Sequence, residues 1–238
     1  MYSAQGINIV NENSGTIYLV PTPIGNMSDV SERIKEVLSS VDIIACEDTR
    51  HSGSFLKKLE IKKRLVSYHE FNESDRAVQL IEAVKNGESI AVITDGGSPG
   101  ISDPAYRIVK TAIENDLDII PLPGPTAFVP ALTASGLPTD RFLFEGFLSN
   151  KSAARKKRLS QLADFPHTII FYESPHRIEK TVADILEVFG DRQICIAREI
   201  TKKFEQFIRG SVSEVIETLA QKKLKGEIVI IAEGNRRK

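Results

Sequence analysis

Short apolar runs alternating with longer amphipathic stretches constrain the fold of this 238-residue chain more than any other feature. Residues 16–20 (TIYLV), 41–46 (VDIIAC), 64–69 (RLVSYH), 89–94 (SIAVIT) and 117–122 (LDIIPL) are short and rich in β-branched side chains, which reads as strands. Between them, SDVSERIKEVLSS and SDRAVQLIEAVKNG space apolar residues three and four apart behind a polar cap residue, and Gly87 closes the second. Strand alternating with helix predicts an α/β domain with a mostly parallel sheet, since parallel neighbours need a crossover and a helix supplies it.

PLPGPTAFVPA then interrupts the pattern. Four prolines and a glycine in eleven residues make a stiff, extended connection, because proline fixes φ and drives its predecessor out of the α region. A domain boundary at this point gives a tail of residues 1–14, a first α/β domain of 15–122 and a second of 123–238. In the second, RFLFEGF (141–147) and HTIIFYES (167–174) read as strands around a basic helix, KSAARKKRLSQLA. After the helix RIEKTVADILEVFG, the runs RQICIARE and FEQFIRG are separated by only ITKK, which predicts an antiparallel pair and hence a mixed sheet. A helix at 211–223 and the strand GEIVIIAE complete the order.

The net charge of -1 excludes a whole-molecule field that attracts nucleic acid, so any basic footprint is local. No apolar run approaches the roughly 18 residues that span a bilayer. MYSAQGINIVNENS reads as a loose tail rather than a signal peptide, because no Lys or Arg precedes a long apolar stretch. Cys46 and Cys195 each sit in an apolar strand and read as buried free thiols, which points to a cytoplasmic protein.

In a parallel sheet the ligand crevice forms beyond the carboxyl ends of the strands. Four turns there carry polar or glycine residues: PTPIGN, EDTRHS, DGGSPGISDP and PGPTA. The third is not a P-loop, lacking the closing Lys-Ser/Thr, and it does not fit G-x-G-x-x-G. Asp103 before Pro104 suits a helix N-cap followed by proline, and Ser28 suits another cap. The glycines ahead of them are not explained that way; bare amides without a Cβ suit a ligand lying on the main chain. Glu47, Asp48, Arg50 and His51 crowd one strand end as either a solvated surface or acid-base and anion-binding groups. In FYESPHRIEK, Ser174 and Pro175 read as a helix start, with Glu173, His176 and Arg177 around it. Lys151, Arg155, Lys156, Lys157 and Arg158 are a solvated helix face or a local phosphate-binding strip.

Taken together, LVPTPIGNMSDVSERIKEVLSSVDIIACEDTRHS, DGGSPGISDP, PLPGPTA, GLPTDRFLFEGFL, FYESPHR and AREITK resemble the 16S rRNA ribose methyltransferases of the tetrapyrrole methylase superfamily, from about Gly15 to Gly234. Gly96 stands where relatives often carry alanine, and Ile200 where leucine is common. The resemblance implies two α/β domains with a cofactor cleft between them, S-adenosylmethionine as methyl donor, no metal, and transfer to the 2'-oxygen of a cytidine in the small ribosomal subunit. It also implies a homodimer.

Residue by residue, the resemblance implies that Pro23, Gly25, Asp95, Gly97, Ser98, Ile101, Thr126, Ala127, Phe171 and Glu173 contact the cofactor. It sets the EDTRHS loop toward the acceptor, with Asp48 and Glu47 as candidate proton acceptors, Arg50 as a phosphate or base-edge ligand and His51 as a further candidate. Lys151, Arg155, Lys156, Lys157, Arg158 and Arg177 are the candidate RNA contacts. Two other readings fit the same turns: a C-methyltransferase of soluble precorrin-like tetrapyrroles, and a non-catalytic RNA-binding or assembly factor that keeps the fold.

Overall fold

A computed structural model describes residues 14–221 and 223–236. They divide into two compact units, one of residues 14–23 with Met27–Pro125, the other of Ile24–Asn26 with 126–236. Apart from Ser14, the expected tail lies outside the described residues.

The first unit runs β1 (Ile17–Leu19), α1 (Glu32–Ser40), β2 (Ile43–Cys46), α2 (Thr49–Lys58), β3 (Arg64–Ser67), α3 (Glu73–Lys85), β4 (Ile90–Val92), α4 (Tyr106–Glu114) and β5 (Ile119–Pro121). The sheet order is β3-β2-β4-β1-β5 and every pairing is parallel. Its strands are apolar on both faces because helices cover both. Ile43, Ala45, Ile90 and Val92 pack with α3 and α4, while Ile44, Cys46, Ala91 and Ile93 pack with α1 and α2. Each fully buried Ile or Val contributes about 1.5–3 kcal/mol of transfer free energy, so a one-residue register slip would turn both sets toward the wrong helices.

Helix α2 lies where the sequence reading has only a turn. Two expected caps also move. Ser31, not Ser28, caps α1, its Oγ accepting from the Ile34 amide at 3.3 Å. Helix α4 begins at Tyr106 behind Ala105, so Asp103 caps nothing.

The second unit runs α5 (Phe128–Thr133), β6 (Phe142–Phe147), α6 (Ser152–Leu162), β7 (Thr168–Glu173), α7 (Ile178–Phe189), β8 (Gln193–Arg198), β9 (Gln206–Ser211), α8 (Val212–Gln221) and β10 (Ile228–Ala232). The order β6-β7-β10-β8-β9 mixes one parallel pair, β6 with β7, and three antiparallel ones. Helices α6, α7 and α8 pack on the face carrying Phe171, Ile196 and Ile230. The short α5 covers the opposite face through Ala131 and Leu132, with Phe128 stacked on Phe144 at 4.8 Å between ring centroids.

Cys46 and Cys195 are buried free thiols, and burial pushes the Cys195 thiol up to about 11. Among the described residues no helix is long and apolar enough to cross a membrane.

Candidate functional site

Parallel strands all end on one edge of their sheet, so β2, β3 and β4 bring Glu47, His69 and Asp95 to that edge. The loop after β4 returns Asp103 to the same place. The Asp103 carboxyl donates to the Glu47 carboxylate, which also accepts from the Asp95 amide. Burial pushes Asp103 up to about 7, and the negative charges of Glu47 and Asp95 add to it. Glu47 is raised as well, first by burial and then by Asp95. Two carboxylates this close cannot both ionise at low cost, so they hold one proton between them near neutral pH. Glu47 Oε1 and His69 Nδ1 are buried there with no hydrogen-bond partner among the described residues, two polar atoms that could meet a hydroxyl. Asn72 fixes His69, accepting from its amide at 2.9 Å and lying 3.3 Å from ring Nε2. Among the described residues, no three His, Cys, Asp or Glu side chains converge to hold a metal ion.

Asp48 has a different part from the one the sequence suggests. It is the N-cap of α2, and its Oδ1 accepts from the amides of Arg50 at 2.7 Å and His51 at 3.4 Å. Those amides hold its carboxyl below the usual carboxylate range, which makes it a weak base already engaged by the helix end. Arg50 and His51 are exposed on the first turn of α2, with Arg50 Nε 3.7 Å from the same Asp48 oxygen.

The glycine-rich turn is stitched to the turn after β1. Thr22 and Gly97 exchange amide–carbonyl bonds of 2.9 and 3.0 Å, the Thr22 hydroxyl donates to the Thr94 carbonyl at 3.0 Å, and that of Thr94 to the Gly97 carbonyl at 3.3 Å. Gly97 has φ 100, which a side chain would strain, and its amide is spent inside the protein. Among the described residues no hydrogen bond takes the amides of Gly96, Ser98 or Gly100, so bare amides lie beside Gly97 rather than at Gly97 itself. A Cβ on Gly96 would meet the Pro23 carbonyl at 3.6 Å, ordinary contact, which accommodates an alanine there. The Ser98 hydroxyl donates to the Pro125 carbonyl at 3.0 Å, and half-buried Ile101 closes the turn with its amide on the Ser98 carbonyl at 3.2 Å. Ser102, at φ 64, stores strain in the same loop. Free amides, a half-buried isoleucine and an exposed Asp95 fit a ligand with both a carboxylate and an ammonium group, as the methionine portion of S-adenosylmethionine has.

In the second unit the expected residues separate into available and committed. Thr126 and Ala127 are half-buried at the start of α5. Gly25 makes room for the aliphatic stem of Lys202, a packing reason for its missing side chain. Phe171 is fully buried in the core under α6, α7 and α8. Glu173 is 3% exposed and fully engaged, with Thr181 at 2.6 Å, the Ser174 amide at 2.7 Å and the Arg177 guanidinium at 2.6 Å. Both side chains are engaged inside the second unit. Ser174 does organise the turn before α7, its Oγ accepting from the His176 amide at 3.3 Å, but the helix starts at Ile178, behind the expected Pro175.

The expected phosphate strip is mostly neutralised from within. Arg155, 2% exposed, pairs with Asp184 at 2.6 Å; Lys156 pairs with Glu187 at 2.5 Å and Asp184 at 3.6 Å. Arg158 grips both Glu145 oxygens at 2.6 and 2.8 Å. Arg177 is held by Glu173, which leaves Lys151 and Lys157 as the cations of the set without an ion pair among the described residues. The helix's partners, 13 to 31 residues away, are invisible in a run of sequence.

The family model for Tetrapyrrole (Corrin/Porphyrin) Methylases matches residues 16–216. A protein of Micromonospora olivasterospora named ribosomal RNA small subunit methyltransferase I is 45% identical over 223 residues, covering 93% of this chain and 71% of the relative. One of Escherichia coli O157:H7 with the same name is 43% identical over 229 residues, covering 95% of this chain and 80% of the relative. Two crystal structures share the fold. Diphthine synthase has TM-score 0.71 and 12% identity, covering 92% of this chain and 90% of the other. The methyltransferase CobJ has TM-score 0.69 and 19% identity, covering 93% and 95%. The chain therefore belongs to the tetrapyrrole methylase family and, within it, to the ribosomal RNA small subunit methyltransferase I proteins.

Proposed function

We propose that this protein transfers a methyl group from S-adenosylmethionine to the ribose 2'-oxygen of a cytidine in 16S rRNA of the small ribosomal subunit. The observation that carries the reading is identity of 43–45% over more than nine-tenths of the chain to proteins named for small-subunit rRNA methylation. The solved structures of a uroporphyrin-III C-methyltransferase and of a cobalt precorrin-4 methyltransferase are 19% and 15% identical.

S-adenosylmethionine, when bound, supplies a sulfonium-activated methyl group, so the protein's own work is alignment and proton removal. The amides of Gly96 and Ser98 would hold the carboxylate of the methionine portion, and Asp95 would accept from its ammonium. Pro23 and Ile101 would bound the rest of the donor on the first unit. A ribose hydroxyl is a weak nucleophile, and the Glu47–Asp103 pair, once it has lost its shared proton, would accept the hydroxyl proton; a base titrating near neutral pH suits that task. His69 orients the hydroxyl, and Arg50 binds an adjacent phosphate.

The test is incubation with labelled donor of small subunits from a strain lacking this gene, beside a precorrin. Label in ribose of the 16S rRNA is expected. Label in the precorrin alone would overturn the substrate, and absence of S-adenosylmethionine binding by calorimetry would favour a non-catalytic assembly factor.

A further inference from the structure

We infer that a lysine-lined groove formed by the end of α2 and the start of β3 is a docking surface for the phosphate backbone of rRNA. The groove encloses about 380 Å³, and its lining combines Gly53, Leu56, Ile61 and Leu65 with Lys57, Lys62 and Lys63. Glu60 is the one carboxylate among its lining residues.

Local structure builds it. The Ile61 amide donates to the Leu56 carbonyl at 3.0 Å and the Glu60 amide to that of Lys57 at 3.1 Å, closing α2 with Glu60 in the left-handed region at φ 61. The chain thereby turns out of the helix, and Lys57, Lys62 and Lys63 line the same groove. The strand they lead into, β3, is at the edge of its sheet, so nothing in the sheet covers this side.

Charge selects the occupant. Lys57 and Lys58 also complement the negative end of the α2 dipole. Lys62 and Lys63 lie beyond the helix and have no such use. Among the described residues none of these four lysines has an ion-pair partner, and Arg64 beside them reaches only Glu88, at 4.0 Å. The contrast with the helix of the second unit is direct, where Arg155, Lys156 and Arg158 are all paired. Unpaired cations lining one groove fit a polyanion whose charges repeat along a chain. This rests on the reading of rRNA as substrate and adds the surface that holds it away from the reacting hydroxyl.

The experiment measures binding of wild-type protein and of the Lys57→Gln/Lys62→Gln/Lys63→Gln variant to purified small ribosomal subunits across a salt series. A Lys57→Arg/Lys62→Arg/Lys63→Arg variant and a Lys151→Gln/Lys157→Gln variant are run alongside. The glutamine triple is expected to bind at least tenfold more weakly and to flatten the log Kd against log salt slope by about 2, as loss of three phosphate contacts requires. Its S-adenosylmethionine affinity should be unchanged and the arginine triple should bind normally. Wild-type affinity and slope in the glutamine triple would overturn the inference while leaving the function standing. A wild-type protein that neither binds nor methylates subunits would instead overturn the substrate reading on which it rests.

Discussion

The Asp103 carboxyl donates a hydrogen bond to the Glu47 carboxylate, joining the loop after β4 to the end of β2 around one shared proton. Burial and two neighbouring negative charges bring Asp103 up to about 7. The form that accepts the ribose proton is the pair that has lost its shared proton, so methyl transfer at saturating donor and subunit should fall close to tenfold per pH unit below about 7 and level off above it. Stopped-time assays from pH 5 to 9 measure this; a flat profile across that range removes the pair from the chemistry.

The same shift has a stability consequence of opposite sign to that of an ordinary salt-bridged carboxylate. The folded value near 7 lies above the ordinary 3.8, so the stability held by protonated Asp103 is complete below about 3.8 and gone once pH has risen through 7. Asp103→Asn, which cannot ionise, should therefore melt higher than wild type at pH 8. The gap should narrow as pH falls toward 4, in thermal unfolding followed by circular dichroism.

Asp48 is expected to matter to the helix rather than to the proton. Removing its side chain in Asp48→Ala takes the cap from the Arg50 and His51 amides and should cost about 1 kcal/mol of stability. Asp48→Asn keeps an acceptor and should leave both stability and the pH step in place. A collapse of activity in Asp48→Asn with unchanged melting would return Asp48 to the reacting groups.

Adjacent glycines in the turn after β4 should respond differently to the same methyl group. Gly96→Ala meets only ordinary contact with the Pro23 carbonyl, whereas Gly97→Ala must hold φ near 100 and keep both bonds to Thr22. Calorimetric S-adenosylmethionine affinity should stay within about twofold in the first and drop at least tenfold in the second. Equal affinities would detach the turn from the donor.

Arg155 offers a test of the reassigned basic helix. Its guanidinium is buried against Asp184, and Arg155→Leu leaves that carboxylate without its main partner at a cost of about 3–5 kcal/mol. Lys157→Gln, on the exposed side of α6, should change stability by less than about 0.5 kcal/mol. Denaturant unfolding compares them; a mild Arg155→Leu with weakened subunit binding would restore the phosphate strip.

The order of strands and helices was legible because burial on both faces writes itself into composition: VDIIAC and SIAVIT have no polar face, and the stretches between them do. Helix α2 escaped notice because TRHSGSFLKK carries a glycine and few apolar residues, and packing of Phe55 and Leu56 rather than periodicity holds it. The site was legible as a set of turns and not as a set of roles. A carboxylate beyond a strand reads alike whether it caps a helix or shares a proton. Only the tertiary return of the loop after β4 separates Asp48, turned to α2, from Asp103, turned to Glu47. The sequence signature S-D-P pointed to a cap at Asp103, and a helix starting three residues later left that carboxyl free for Glu47. Arg155 likewise reads as a surface cation until Asp184 is brought beside it by the packing of α6 on α7.

Single-turnover methyl transfer to small ribosomal subunits by wild type, Glu47→Gln and Asp103→Asn, each first shown by calorimetry to bind S-adenosylmethionine, bears most directly on the shared-proton pair. Both variants should bind the donor as wild type does and transfer its methyl group about 10² to 10⁴-fold more slowly, with the step near pH 7 abolished in Asp103→Asn. Transfer by Asp103→Asn at the wild-type rate with the pH step intact would contradict the assignment.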